Sequence, residues 1–424
     1  MDKKVSFFEK YNWLMIVTLL SFGTYAMYGL PYMKSVFYDP MRLALNLTHE
    51  QYGNVIGLYG KIALIMYFPG GWLADKFDAR KLMLFSYVAS GALGLYLSTY
   101  PSYAGVQFTF IAWGVTTILT FWAAQVKVIR SLGDDDMQGK IFGIGNGIEG
   151  ISGMIISFIA LAIFNMVAVK ELGLRFVLIF QSILTILIGF ITYYTLRNIK
   201  FKDNQDEKYT FEDFIKVLKM PEVWLIGIII FCYYTVFSSL SYISPYLETE
   251  FMLSAAAVGT VSVLRQTGTK MLGGPIFGSL ADKFGSPSKM IIVGFILTVA
   301  CVGGFKVLPV NSSYSMVAVI LMLVLAFALF GLTGIGYATI SETSIPLKYT
   351  GAAVGAISLI GYVPDAFYYN IAGNWLDTYG SAGYKYIFTL SFVVAIIGLT
   401  VGYILFKRTA TVRAKKHLES EISA

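Results

Sequence analysis

The sequence predicts an all-α membrane protein with twelve transmembrane helices in two homologous six-helix halves. Of its 424 residues, 56% are hydrophobic and only 13% are charged, and the mean hydropathy is +0.67. Soluble domains carry about 25% charged residues. Twelve apolar runs are each long enough to cross roughly 30 Å of hydrocarbon as a helix. A sequence motif also recurs half a chain apart, which indicates duplicated halves.

The apolar runs and the polar break between them set the predicted boundaries. A polar break at 197–221 separates the half 1–196 from the half 222–406, and a cytoplasmic tail occupies 407–424. The break contains apolar residues spaced as in a short amphipathic helix on the membrane surface, although a solvated tether fits as well. The predicted spans are 12–33, 51–73, 82–99, 104–128, 141–165, 173–196, 222–246, 254–279, 289–307, 314–340, 351–373 and 384–406.

The distribution of basic residues predicts the orientation. With both termini cytoplasmic, the inside segments hold 22 Lys and Arg residues and the outside loops hold 6. Such a bias is typical of a multi-pass protein of the cell membrane with both termini inside. It also explains the net charge of +7 without a nucleic-acid partner. The partners that we expect are the lipid bilayer and a small-molecule solute, and we expect a monomer.

The cysteine and histidine residues give no sign of metal or redox chemistry. Cys232 and Cys301 both lie in apolar runs, while His49 and His417 lie near opposite ends of the chain. Neither a disulfide framework nor a metal site is indicated. No GxxxxGK[ST] motif for ATP binding is present either. We therefore expect no cofactor and no enzymatic activity.

Two pairs of segments match across the midpoint. GWLADKFDARK, starting at Gly71, parallels GSLADKFGSPSK, starting at Gly278, and GKIFG at Gly139 parallels GAAVG at Gly351. The two offsets are 207 and 212 residues, close to half the chain. This spacing indicates six-helix halves that arose by duplication, as in many secondary transporters.

The repeated loop resembles the signature loop of the major facilitator superfamily, and the resemblance extends over all twelve spans. MLGGPIFGSLADK and TGAAVGAISLIGY also resemble a bacterial inner-membrane branch associated with sugar-derived anions. The resemblance implies the major facilitator fold and transport by alternating access. One departure is that FTFIAWGVTTILTF in the fourth span lacks the Arg of many proton-coupled members. Its absence weakens the case for a proton relay.

The resemblance also implies a gating role for Asp75, Arg80 and Asp282 in the two short cytoplasmic loops. A carboxylate there can bind the positive N-terminal end of a helix and nearby basic residues. Such contacts would latch the cytoplasmic side while the protein faces outward. The alternative is that these residues only cap and anchor their loops.

Charged residues inside the spans are further candidates, because each costs several kcal/mol unless it is paired or hydrated. Lys61 and Asp365 differ in predicted depth by roughly 3 Å, and Glu149 and Lys270 also lie at similar depths. In the family arrangement these residues belong to helices that meet between the halves. We therefore predict two ion pairs that act in gating and coupling, Lys61 with Asp365 and Glu149 with Lys270. The alternative is that each of these charges faces a hydrated cavity by itself.

Arg265, near mid-depth of the eighth span, is the predicted substrate-binding residue. A guanidinium suits a carboxylate, phosphate or sulfonate because it forms two parallel hydrogen bonds with each. Pairing with Glu149 is the alternative role. Hydroxyl-bearing residues on the first and seventh spans are further substrate-binding candidates, because they can stack on a sugar-like solute or form hydrogen bonds with it. The alternative is that they only pack against neighbouring helices. These residues are Tyr25, Tyr28, Tyr234, Ser238 and Tyr242.

The leading hypothesis is thus a secondary transporter for a small organic anion, either a sugar acid or a phosphorylated or sulfonated sugar. A transporter of a neutral or cationic metabolite and a transporter-like receptor without flux are the alternatives.

Overall fold

Helices joined by short turns make up the part of the chain that the computed structural model describes, residues 7–132, 135–197, 211–346 and 349–411, with no strand in these ranges. A helix suits a membrane because it satisfies all its backbone hydrogen bonds internally. Eight helical stretches in these ranges are long and apolar enough to cross a membrane. The chain divides into two compact units, Met1–Thr48 with Val55–Asn204, and His49–Asn54 with Gln205–Ala424.

The first unit contains the helices of the N-terminal half. A π-helical segment, Val115–Trp122, joins α5 to α6 within one continuous span. The helices are α1 (Phe7–Gly29), α2 (Lys34–Ala44), α3 (His49–Lys76), α4 (Ala79–Leu97), α5 (Tyr103–Gly114), α6 (Ala123–Arg130), α7 (Asp135–Asn165) and α8 (Lys170–Leu196).

The end of the first span differs from the sequence prediction. The span was expected to end at residue 33 and to lead into a loop, but a turn there leads into the short helix α2, which packs against α8. Lys34, expected in that outside loop, is only 3% exposed. Eleven residues with a mixed polar and apolar pattern are too few to be recognised as a membrane helix.

Hydroxyl pairs connect α4 to the π-helical segment inside the first unit. Ser86 lies 2.6 Å from Thr120, and Ser90 lies 2.6 Å from Thr116, measured between the side-chain oxygens. Trp113 Nε1 donates to the Ser90 carbonyl at 3.1 Å. Small residues with hydroxyl groups let helices approach closely, and in lipid these hydroxyl groups form hydrogen bonds with one another.

The second unit contains the linker helix and the helices of the C-terminal half. A π-helical segment, Leu264–Gly268, joins α11 to α12, and a 3₁₀ segment, Tyr337–Glu342, follows α14. The helices are α9 (Phe211–Leu218), α10 (Pro221–Glu250), α11 (Ala255–Val263), α12 (Thr269–Lys283), α13 (Pro287–Val307), α14 (Ser315–Ile335), α15 (Thr350–Gly361), α16 (Pro364–Tyr379) and α17 (Gly383–Arg408).

The linker forms the short helix that its apolar spacing predicts. Val217 on α9 is fully buried, and Trp224 Nε1 donates to the Leu218 carbonyl at 2.8 Å. These contacts hold α9 near the start of α10. Its position on the membrane surface stays a prediction.

The eleventh span, expected as one helix over 351–373, is broken in its middle. α15 ends at Gly361 and α16 begins at Pro364. Proline lacks a backbone N–H and has a fixed φ, so it interrupts a helix but suits the first position of a new one. The break places the N-terminus of α16, with its positive dipole end, inside the span.

The first turn of α3 belongs to the second unit and is held by α16. The two carboxylate oxygens of Asp377 accept the backbone N–H groups of His49 and Glu50 at 3.0 and 2.7 Å. The helices approach so closely that a Cβ on Gly373 would lie 2.3 Å from the His49 carbonyl oxygen. Asn370 also donates to Asn54 at 2.6 Å. An acidic side chain thus caps a helix N-terminus from a different helix.

Candidate functional site

Arg265 is located on the π-helical segment between α11 and α12 and is 1% exposed. π-Helical turns inside α-helices are rare and often mark functional sites. Here the neighbouring hydroxyls bind backbone carbonyls: Thr267 Oγ1 donates to Val263 O at 2.8 Å, and Thr269 Oγ1 donates to Arg265 O. The irregular turn thereby holds a cationic side chain inside an apolar span.

Asp365 lies in the first turn of α16, directly after the break in the eleventh span, and is 9% exposed. Tyr234 on α10 donates its hydroxyl to Asp365 Oδ2 at 2.8 Å. The Tyr362 ring stands edge-on to the Tyr234 ring, with 4.7 Å between centroids. A buried carboxylate is thus held by a phenol from a neighbouring helix.

Tyr369 is a buried residue on the same helix as Asp365. It follows Asp365 by one helical turn, on the same face of α16. Its ring centroid lies 6.3 Å from that of Tyr242 on α10. The second unit therefore contains a buried acid, a buried phenol and a buried guanidinium.

Two other candidates on α10 donate their hydroxyl hydrogens to backbone carbonyls. Tyr242 donates to Tyr369 O at 2.8 Å, and Ser238 donates to Tyr234 O at 3.0 Å. Both side chains are buried. Their role as substrate-binding residues stays a prediction.

The first unit holds a separate group of hydroxyl and aromatic side chains. The Tyr25 hydroxyl lies 2.5 Å from Ser157 Oγ, and Tyr28 donates to Thr117 O at 3.3 Å. Tyr59 lies 3.2 Å from Thr117 Oγ1, so the π-helical segment again anchors the group. Glu149 is half-buried on α7.

The remaining charged candidates have different surroundings within their own units. Lys61 is exposed on α3, and Lys270 is half-buried in the first turn of α12. The ion pairs Lys61 with Asp365 and Glu149 with Lys270 stay predictions.

The loop between α3 and α4 is built around Asp78. Asp78 accepts the backbone N–H of Arg80 at 2.9 Å and so caps α4. Arg80 in turn binds the same carboxylate through Nε and Nη2, and donates from Nη1 to Arg197 O at 2.7 Å. Hydrogen bonds from Arg80 lower the pKa of Asp78, and Asp78 raises the pKa of Arg80. Arg80 is thus engaged within the loop.

The other two gating candidates, Asp75 and Asp282, give no further indication of a gating contact. The side chain of Asp75 lies outside the described residues, and Asp282 is exposed at the end of α12. Their role as latches stays a prediction.

Sequence reasoning missed three residues. Tyr369 could have been recognised from the sequence, because it follows Asp365 by one helical turn. Lys34, whose ammonium lies 5.0 Å from the centroid of the Tyr32 ring, was counted in a loop because α2 is short. Buried Glu342 accepts the Ser288 N–H at 3.2 Å at the start of α13, a tertiary contact that no sequence pattern indicates.

Comparison with known proteins identifies relatives along the whole chain. The family model described as Major Facilitator Superfamily matches residues 14–368 and 226–423. Inner membrane protein YihN of Escherichia coli (strain K12) is 32% identical over 422 residues, covering 97% of this chain and 99% of YihN. Inner membrane protein YqcE of the same strain is 28% identical over 411 residues, covering 95% and 97%.

Solved structures share the fold at low identity. A bacterial homologue of the human lysosomal transporter Spinster, in an inward-facing and unoccupied conformation, has a TM-score of 0.72 at 13% identity, covering 96% of this chain and 98% of that one. The nucleoside transporter NupG has a TM-score of 0.69 at 14% identity, covering 93% and 98%. At such identities the likeness concerns the fold alone.

Proposed function

Because the chain belongs to the major facilitator superfamily, we propose that it is a secondary transporter that moves a small organic anion across the cell membrane by alternating access. The substrate class that we propose is a sugar acid or a phosphorylated or sulfonated sugar. Both termini are cytoplasmic in this proposal. The protein works as a monomer that binds no nucleic acid and catalyses no reaction.

The observation that carries the anion proposal is the burial of Arg265 on a π-helical turn. An arginine keeps its charge under all physiological conditions. An ionisable group within a span is costly, so a function is the default reason for its retention. A buried guanidinium offers a carboxylate, phosphate or sulfonate two parallel hydrogen bonds of fixed geometry.

Phenols in the second unit support a polar, ring-bearing solute. Tyr234 and Tyr362 bring aromatic surface and hydroxyl groups to the surroundings of Asp365 in the second unit. Aromatic faces stack on sugar-like rings, while hydroxyls exchange hydrogen bonds with sugar hydroxyls. This combination favours a sugar-derived anion over a small inorganic one.

Counterflow in liposomes tests this proposal. Purified protein is reconstituted with D-glucuronate, glucose 6-phosphate or glucose 6-sulfonate inside, and glucose serves as the neutral control. We expect saturable exchange with at least one of the anions and none with glucose. A transporter-like receptor gives binding without exchange, and a carrier of neutral or cationic metabolites exchanges none of the three anions. Either result would contradict the proposal.

Substitution of Arg265 tests the residue directly. Arg265→Lys keeps the charge but loses the two-pronged geometry, so it should weaken anion affinity, and Arg265→Ala should nearly abolish it. Loss of one charge-assisted contact costs about 1.5 to 3 kcal/mol, roughly ten- to a hundredfold in affinity. Arg175→Lys, at an exposed guanidinium above the Tyr100 ring, is the matched control. Unchanged affinity in folded, monodisperse Arg265→Ala protein would show that Arg265 does not bind the solute.

A further inference from the structure

Basic side chains gather in the first unit where α4 begins and α8 ends. Arg80 Nη1 donates to the Arg197 carbonyl oxygen at 2.7 Å, and this hydrogen bond joins the two helix ends. Lys81 follows Arg80 in the first turn of α4 and is exposed. We call Arg80, Lys81 and Arg197 the basic cluster. Its three positive charges face one negative charge, the Asp78 carboxylate bound by Arg80, which leaves a net charge of +2.

The guanidinium of Arg197 is positioned by an aromatic ring. Its central carbon Cζ lies 3.9 Å from the centroid of the Tyr194 ring. Both residues are exposed, and the Arg197 guanidinium donates no hydrogen bond to any acceptor within the ranges that the structure describes. An arginine stacked on an aromatic ring keeps its N–H groups available to an oxyanion. The end of α8 therefore presents a positioned donor for a negatively charged oxygen.

Exposed apolar side chains continue from this ring along one face of α8. Their spacing of three or four residues aligns them along the helix. We call these residues the α8 stripe: Ile183, Leu187, Phe190, Ile191 and Tyr194, all exposed. At 1.5 Å per residue the stripe is about 17 Å long, close to half of the bilayer hydrocarbon thickness of roughly 30 Å. The α8 stripe thus matches the length of a lipid acyl chain in one leaflet.

We propose that the basic cluster and the α8 stripe together form a binding site for one anionic phospholipid. The lipid phosphate accepts hydrogen bonds from Arg197 and is attracted by the ammonium group of Lys81. One acyl chain lies along the α8 stripe. Arg80 has a positioning role, because its hydrogen bond to the Arg197 carbonyl fixes the end of α8. This site is separate from the solute site proposed at Arg265.

Charge and shape together favour an anionic lipid over other occupants. A free phosphate ion would meet the basic cluster but would leave the α8 stripe uncovered. A zwitterionic lipid would cover the stripe but would bring its own cation to a cluster that is already positive. The sequence predicts that this end of the helices is cytoplasmic, and anionic lipids attract basic residues at that surface. Each such Lys or Arg contributes about fivefold in affinity.

The opposite end of α8 offers an internal comparison. Arg175 Cζ lies 4.9 Å from the centroid of the Tyr100 ring, so this end also holds an arginine against an aromatic ring. Glu171, however, precedes Arg175 by one helical turn on the same face of α8. Its carboxylate opposes the approach of an anionic headgroup. Arg175 is therefore the matched control for Arg197.

Native mass spectrometry of the full chain in detergent tests this site. Dioleoylphosphatidylglycerol and dioleoylphosphatidylcholine have identical acyl chains and are titrated separately. We expect the first lipid molecule to bind about 25-fold more tightly when it is phosphatidylglycerol, because Arg197 and Lys81 each contribute about fivefold. Equal affinity for the two lipids would overturn the proposal.

Substitutions locate the site on the protein. Arg197→Gln and Lys81→Gln should each weaken phosphatidylglycerol binding about fivefold, and the double variant should lose the preference over phosphatidylcholine. Both positions are exposed, so the variants should fold, which thermal unfolding without lipid checks. Arg175→Gln should keep the wild-type preference. A preference that survives in the double variant, or an equal loss in Arg175→Gln protein, would contradict the assignment.

Two further measurements separate a bound lipid from a bound ion. Inorganic phosphate and glycerol 3-phosphate carry the charge without the acyl chain, and neither should displace phosphatidylglycerol at millimolar concentration. Displacement would mean that the occupant is a free phosphate. Ile191→Ser should weaken binding of both lipids, whereas Ile320→Ser, at an equally exposed position on α14, should not. Equal binding by these two variants would show that no acyl chain lies along the α8 stripe.

Discussion

At the scale of single residues, several hydrogen bonds combine at Asp78. One carboxylate caps α4 through the Arg80 N–H and binds the Arg80 guanidinium through both oxygens. The pair is partly exposed to solvent, where an ion pair contributes little stability. The cap contributes more to stability than the ion pair does, because it satisfies a backbone N–H that has no partner within the helix.

Two substitutions separate the cap from the ion pair. Asp78→Ala loses both and should lower the free energy of unfolding by about 1 kcal/mol, whereas Asp78→Asn keeps a capping oxygen and should cost much less. Thermal unfolding in detergent measures both. Because Arg80 lowers the pKa of Asp78, the ion pair stabilises above the ordinary carboxyl pKa and is lost as pH falls through the lowered pKa. Equal losses in the two variants at neutral pH would contradict the capping role.

At the scale of helices, the first turn of α3 depends on a residue more than 300 positions away in the chain. Asp377 supplies acceptors for two of the N–H groups that a helix N-terminus leaves unsatisfied. Its negative charge also suits the positive end of the helix dipole. The close approach at Gly373 shows that backbone-to-backbone packing holds the two helices in register.

Removing this cap should weaken the packing of the first turn of α3 against α16. Asp377→Ala is expected to lower the free energy of unfolding by about 1 to 2 kcal/mol, since both the cap and the charge are lost. Asp377→Asn should lose less, because one acceptor remains. Thr378→Ala, at the exposed neighbouring position, is the control. Thermal unfolding that is equal in Asp377→Ala and Thr378→Ala proteins would show that the cap contributes no stability.

At the scale of the whole molecule, the positive-inside bias predicts the topology. Both native cysteines are buried, so cysteines introduced at other positions report selectively in labelling. Ser131→Cys, Asn204→Cys and Ser420→Cys should react only with reagents that reach the cytoplasm. Thr48→Cys and Ser312→Cys should react with impermeant reagents from outside. Labelling of Asn204→Cys from outside would overturn the orientation.

The sequence by itself determined the class of the molecule. Hydropathy and the repeated loop indicated twelve helices in two halves, and the family match and the structural likeness confirmed this fold. These properties can be predicted from the sequence because a helix that crosses the lipid bilayer must be apolar over a fixed length. The charged candidates were also visible in the sequence, because an ionisable residue within an apolar run is rare.

Only the tertiary structure decided which groups lie together. The contact of Asp365 with Tyr234 joins helices that are distant in sequence. The same is true of Asp377 and the first turn of α3. The break before Pro364 and the π-helical turn at Arg265 depend on helix packing, which supplies partners for the backbone groups they release. Hydropathy reports how apolar a segment is on average and carries no information about these contacts.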